Sequence, residues 1–124
     1  MLQVDLTLAQ RVPDLLDEGY DVSIVLAPEL PDSGLVSARL GSIFSIACAS
    51  PAYIEKHGAP HVLSDLVRHT CLHLITPVFP TDRWVFDGPN GQESVSLGPS
   101  TFTVNVADAL VAALGEGMGI GVLP

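Results

Sequence analysis

Positive charge is scarce in this 124-residue sequence: five Lys or Arg residues stand against fourteen Asp or Glu, for a formal charge of −9. Cationic side chains on phosphates supply most nucleic-acid affinity, so Arg11, Arg39, Lys56, Arg68 and Arg83, spread thinly along the chain, exclude a DNA-binding surface of its own. Long apolar runs are absent as well, and no stretch approaches the roughly 18 residues that a membrane-spanning helix requires. The amino end, Met1-Leu2-Gln3-Val4-Asp5, lacks the basic start and continuous apolar stretch of a secretory signal, so a cytoplasmic location is expected. Thiols are confined to Cys48 and Cys71 on apolar, strand-like segments, which fits buried small hydrophobes and not a disulfide framework. Internal repeats, low-complexity tracts and Ser/Gly linkers are missing too. One compact unit is the default, long enough to bury roughly two thirds of its unfolded surface.

What is present is an alternation of strand-like and helix-like segments, which argues α/β with a mixed sheet. Apolar residues alternate with polar ones from Leu2 to Leu8, a half-buried strand by its period of two. Pro13 suits the first turn of a short helix through Leu16 that Gly19 terminates, and Val22 to Ala27 reads as a buried strand. Leu35 to Ala49 carries Val, Ile, Phe and Ser around Gly41 and is expected as two strands or one bent strand. Ser50 as N-cap with Pro51 at the first helical position opens a helix that Gly58 and Pro60 end, and Ser64 is expected to cap a shorter one through Val67. Cys71 to Ile75, Trp84 to Phe86, Ser94 to Leu97 and Thr101 to Val104 read as strands, with Pro89-Asn90-Gly91 turning the chain between the middle two. Asn105 is expected to cap a helix to Leu114, with Asp108 returning a bond to the cap backbone; Gly115 and Gly117 stop it, and Ile120 to Leu123 begins another strand.

The two helix starts carry the most functional information. Free N–H groups and the positive end of a helix dipole suit a small polar or anionic ligand. The order of Asp21-Val22-Ser23-Ile24, Ala49-Ser50-Pro51-Ala52-Tyr53, Gly58, Pro60, Leu66, His69, Cys71, Trp84, Phe86, Asn105 and Gly117-Met118-Gly119-Ile120-Gly121-Val122-Leu123-Pro124 resembles the effector-binding domain of LysR-type transcriptional regulators over nearly the whole chain. The resemblance implies a type 2 periplasmic-binding-protein-like α/β fold, with one complete lobe built on a mixed sheet plus part of the other. Residues 1–47 would form a partial first lobe with the first crossing strand, and residues 48–124 the second lobe up to the return crossing strand. It also implies a small-molecule effector held between the lobes by Leu26, Ser50, Pro51, Asn105 and Val106, with Leu at position 26 making the wall less polar than one that grips inorganic anions. No cofactor is implied. The partners implied are a homo-oligomer and, through a helix-turn-helix module outside this chain, DNA; no membrane is involved. Apolar strand faces and unpaired edges near the amino end would favour association with another chain.

Other readings compete. Gly115, Gly117, Gly119 and Gly121 tempt a dinucleotide fingerprint, but that motif needs a strand before it and a helix after it, the reverse of the order here. His57 and His61 straddle Gly58 and Pro60, while His69 and His73 bracket Cys71, so neither pair offers a metal site and no metal is expected. Asp14, Asp17, Glu18 and Asp21 are read as a solvated face. Trp84 and Phe86 share a strand face and are read as core. No constellation is catalytic, and an enzyme is not expected. The alternative function is the solute-binding protein of a transporter, which shares the bilobal fold.

Overall fold

The computed structural model describes residues 1–77 and 82–124, in two units: Met1–Gly34 and Leu35–Pro124. In the first unit a single short helix, α1 (Leu15–Glu18), starts two residues later than Pro13 predicts because Asp14 is the cap: its carboxylate accepts from the Leu16 and Asp17 N–H groups, each at 3.1 Å. Gly19 ends α1 in the left-handed region, at φ 74°, a conformation open to glycine at no steric cost. Arg11 donates two bonds to the Glu18 carboxylate, at 2.6 and 2.8 Å, an exposed pair of small energetic weight.

The strands expected over Leu2–Leu8 and Val22–Ala27 are not formed. Both segments are coil, and Leu2, Val4, Leu6, Leu8, Val22, Ile24 and Leu26 are all exposed. A period of two marks which side chains share a face, but a strand exists only as one side of a hydrogen-bonded ladder, and no described segment pairs with either. Within Leu35–Ala49 the strand that forms is Ile46–Ala49.

Among the described residues the second unit is a four-stranded sheet with a separate hairpin. Its elements are β1 (Ile46–Ala49), α2 (Pro51–His57), a 3₁₀ helix (Leu63–Arg68), β2 (Cys71–Leu74), β3 (Arg83–Gly88), β4 (Gly91–Ser96), β5 (Thr103–Val104), α3 (Ala107–Gly115) and β6 (Ile120–Leu123). Strand order is β1-β6-β2-β5, with β1 antiparallel to β6 and the β6–β2 and β2–β5 pairs parallel, so the sheet is mixed. The 3₁₀ helix is not capped by Ser64. Instead the Asp65 carboxylate reaches back to accept from the His61 and Val62 N–H groups, which holds its pKa below the ordinary carboxylate value.

Burial follows the pleat. Along β2 all four residues are buried, with Cys71 joining a core of Tyr53, Leu66, Trp84, Val95, Leu97 and Ile120, and Leu72 and Leu74 joining Leu110, Ala113 and Leu114 of α3. One face of the sheet is therefore closed by α3 and the other core takes in α2, the 3₁₀ helix and the β3–β4 hairpin. A strand buried on both faces is the expected state of a parallel sheet interior. Glycines permit the closest approaches. A Cβ on Gly119 would meet the Thr70 carbonyl oxygen, and one on Gly121 would sit 3.2 Å from both terminal methyls of Leu110.

Candidate functional site

The strand register decides where the two helix starts lie. Ala49 pairs with Ile120 and Cys71 pairs with Ile120, so the end of β1 and the starts of β6 and β2 share one end of the sheet. Ile46 pairs with Leu123 and Leu74 with Val104, which marks the opposite end. Ser50 follows Ala49 at the first end; Asn105 follows Val104 at the second. Helix α3 spans the distance between them, about 13 Å at 1.5 Å per residue, and the turn after it returns to Ser50: a Cβ on Gly117 would lie 3.4 Å from Ser50 Oγ. By this register Ser50 and Pro51 stand at one end of the sheet and Asn105 and Val106 at the other. Antiparallel pairing of β1 with β6 turns the β1–α2 junction away from the β5–α3 junction.

The chemistry at the two ends differs too. Ser50 Oγ accepts from the Tyr53 N–H at 3.2 Å, and Pro51 occupies the first helical turn, so this start is closed by its own side chain. Asn105, by contrast, is not the cap. The cap residue of α3 is Val106, extended at φ −127° and ψ 126°, and among the described residues no side-chain cap bond is made to the opening N–H groups. Valine has no acceptor to offer, so Ala107, Asp108 and Ala109 present backbone donors at the positive end of the helix dipole. Asn105 and Val106 are both exposed beside them. Leu26, in the first unit, is an exposed coil residue.

Residues that sequence reasoning left isolated are brought together at the Ser50 end. Buried Tyr53 stacks on His57 with ring centroids 4.5 Å apart, a pair foreshadowed by their i,i+4 spacing on α2. The Tyr53 hydroxyl accepts from the Thr70 N–H at 3.1 Å and lies 3.0 Å from His69 Nδ1, tying α2 to the entry of β2. A groove of about 310 Å³ lined by His57, Ala59, Asp65, Arg68 and His69 lies here, its guanidinium and carboxylate 3.6 Å apart and offsetting each other's charge. Among the described residues no three His, Cys, Asp or Glu side chains converge to hold a metal ion. Both cysteines are free, and burial pushes the Cys71 thiol up to about 11, away from nucleophilic range. Among the described residues no helix is long and apolar enough to cross a membrane.

Comparison with known proteins gives this geometry a context. The family model described as LysR substrate binding domain matches residues 1–124. The chain is 32% identical over 123 residues to the HTH-type transcriptional activator AaeR of Escherichia coli strain K12, which covers 99% of this chain and 39% of the relative. Among solved structures it is similar to the full-length Vibrio cholerae virulence activator AphB, a member of the LTTR family, at 25% identity and TM-score 0.74 over 97% of this chain and 39% of that one. It is also similar to CrgA, a LysR-type transcriptional regulator from Neisseria meningitidis, at 30% identity and TM-score 0.72 over 89% of this chain and 36% of that one. The mixed α/β architecture is thus the periplasmic-binding-protein-like fold of these regulatory domains. The chain spans about two fifths of the length of the relatives it matches.

Proposed function

This chain belongs to the LysR substrate binding domain family, and from that premise we propose that it is the effector-sensing portion of a transcription regulator, which binds a small metabolite and does no chemistry on it. The observation that carries the reading is the open start of α3: uncapped N–H donors at a dipole's positive end, flanked by exposed Asn105 and Val106. A small organic carboxylate fits those donors, with Asn105 supplying a polar side chain and Val106 an apolar contact. Leu26 enters this proposal through the family resemblance alone, as do the division into lobes at residues 47 and 48 and the cytoplasmic location. Ser50 and Pro51 are set apart in it: the Ser50 hydroxyl oxygen accepts the Tyr53 N–H as the cap of α2, and Pro51 has no N–H to offer.

In the proposed mechanism the metabolite has unequal affinity for two arrangements of the regulator, and occupancy shifts the population between them. DNA is read by a separate helix-turn-helix module, consistent with the names of the relatives and with the charge of −9 on this segment, and the regulator works as a homo-oligomer. A transporter's solute-binding protein is the weaker reading, because the relatives named above are regulators. The test is genetic and quantitative. In the regulator that carries this segment, Asn105→Ala should abolish or blunt the effector response of a reporter promoter while DNA occupancy without effector stays unchanged; Ser50→Ala should leave the response intact. An undiminished response in Asn105→Ala together with loss in Ser50→Ala overturns the assignment.

A further inference from the structure

We propose that His73 makes the docking of the β3–β4 hairpin onto the sheet dependent on proton concentration, with the hairpin held closed while the imidazole is neutral and released when it binds a second proton. This inference stands on the second unit alone and holds whichever molecule α3 recognises. His73 lies on β2, the central strand, with only 6% of its surface exposed. Its backbone N–H donates to the Phe102 carbonyl at 3.0 Å, which fixes the residue in the β2–β5 ladder and leaves the ring no freedom to leave the core by backbone slip. Nε2 is buried and has no hydrogen-bond partner among the described residues. The ring faces Trp84 of β3, with centroids 6.4 Å apart, and Trp84 in turn packs edge-on against Phe86.

A neutral imidazole with one unsatisfied nitrogen is tolerable at such a site; an imidazolium is not, because a buried unpaired charge costs far more than a buried unpaired polar atom. Desolvation accordingly lowers the pKa of His73 from its ordinary 6.5, and the negative charge of Asp82, just before β3, opposes that shift. Asp82 is the charged side chain whose field reaches the ring among the described residues; Trp84 from the hairpin faces it with an uncharged ring. A lowered base pKa in the docked form means that docking is undiminished above the ordinary histidine range. It weakens as pH falls from 6.5 toward the docked-state value, since only the open form takes up the proton easily. Opening spares α3, which lies in the other core with Leu72, Leu74 and Leu110.

Trp84 is the chain's single tryptophan and so reports on this contact directly. The experiment follows its emission from pH 7.5 down to about 4.5, two units below the ordinary histidine pKa, alongside amide hydrogen exchange of β3, β4 and α3. The result expected is a reversible red shift with a midpoint below 6.5, accompanied by at least tenfold faster exchange of hairpin amides and unchanged protection in α3. His73→Gln and, as a second replacement of similar volume, His73→Leu should abolish the transition; Asp82→Asn, at an exposed position, should move it to lower pH. A red shift that survives both His73 replacements, an emission constant across the range in the parent chain, or exchange that rises equally in α3 and the hairpin overturns the proposal.

Discussion

Leu110→Ala tests the packing that holds α3, and with it the proposed effector-facing start, on the sheet. Leu110 is fully buried, and its two terminal methyls lie against the bare backbone of Gly121 on β6. Removing three carbons forfeits about 2.4 kcal/mol of transfer free energy at about 0.8 kcal/mol each, and the cavity left behind brings the loss to roughly 3–4 kcal/mol. The complementary change is Gly121→Ala. Its new methyl would sit 3.2 Å from Leu110 Cδ1 and Cδ2 and 3.3 Å from Leu114 Cδ1, closer than ordinary contact, so overpacking should cost about 1–3 kcal/mol in the parent chain. Combined with Leu110→Ala, two of those three contacts vanish and the methyl enters the vacated space. The two changes should therefore be strongly non-additive, with the double variant about 1–2 kcal/mol more stable than the sum of the singles predicts. Urea unfolding followed by far-UV circular dichroism measures all four corners of the cycle. Additivity within about 0.5 kcal/mol would refute the claim that Leu110 and Gly121 are fitted to each other.

Three further outcomes follow from individual bonds. Ser50→Ala should lower stability by about 1 kcal/mol, the usual worth of an N-cap, as read from the same denaturation curves, whereas Asn105→Ala should leave stability unchanged because the α3 start has no side-chain cap bond to lose. Tyr53→Phe strands the Thr70 N–H and His69 Nδ1, and should cost about 1–3 kcal/mol while perturbing the His69 ring resonances first. At pH 8 iodoacetamide should leave Cys71 unmodified in the folded chain and label it on unfolding, since burial holds the thiol at about 11; peptide mass mapping of both cysteines checks this.

Local chemistry was largely legible in the sequence. Ser50-Pro51 opened a helix where a capping hydroxyl followed by a fixed φ predicts one, and Gly19 and Gly117 closed helices at φ 74° and 75°. Apolar patterning located β2, β6 and α3 within a residue or two. What failed needed a partner to be known. The alternating segments Leu2–Leu8 and Val22–Ala27 carry strand periodicity yet find no ladder. Caps were misassigned at the level of single residues: the Asp14 carboxylate takes the Leu16 and Asp17 N–H groups one position after Pro13, and Asp65 accepts from the His61 and Val62 N–H groups ahead of the 3₁₀ helix where Ser64 was expected to cap it. Asn105 lost the cap position to Val106 through a shift of one residue, invisible to composition. The placement of the helix starts depends on topology. Two helix starts in one chain look equivalent in a string of letters, and only the antiparallel pairing of β1 with β6 separates Ser50 from Asn105.

Backbone amide resonances of α3 therefore offer the sharpest test. In a titration of the chain with a panel of small organic carboxylates at constant ionic strength, the amides of Ala107, Asp108 and Ala109 and the side-chain amide of Asn105 should shift and saturate together with at least one member, while those of Ala52 and Tyr53 hold still. Saturable shifts centred on Ala52 and Tyr53, or a panel to which the α3 start is indifferent throughout, would contradict the account.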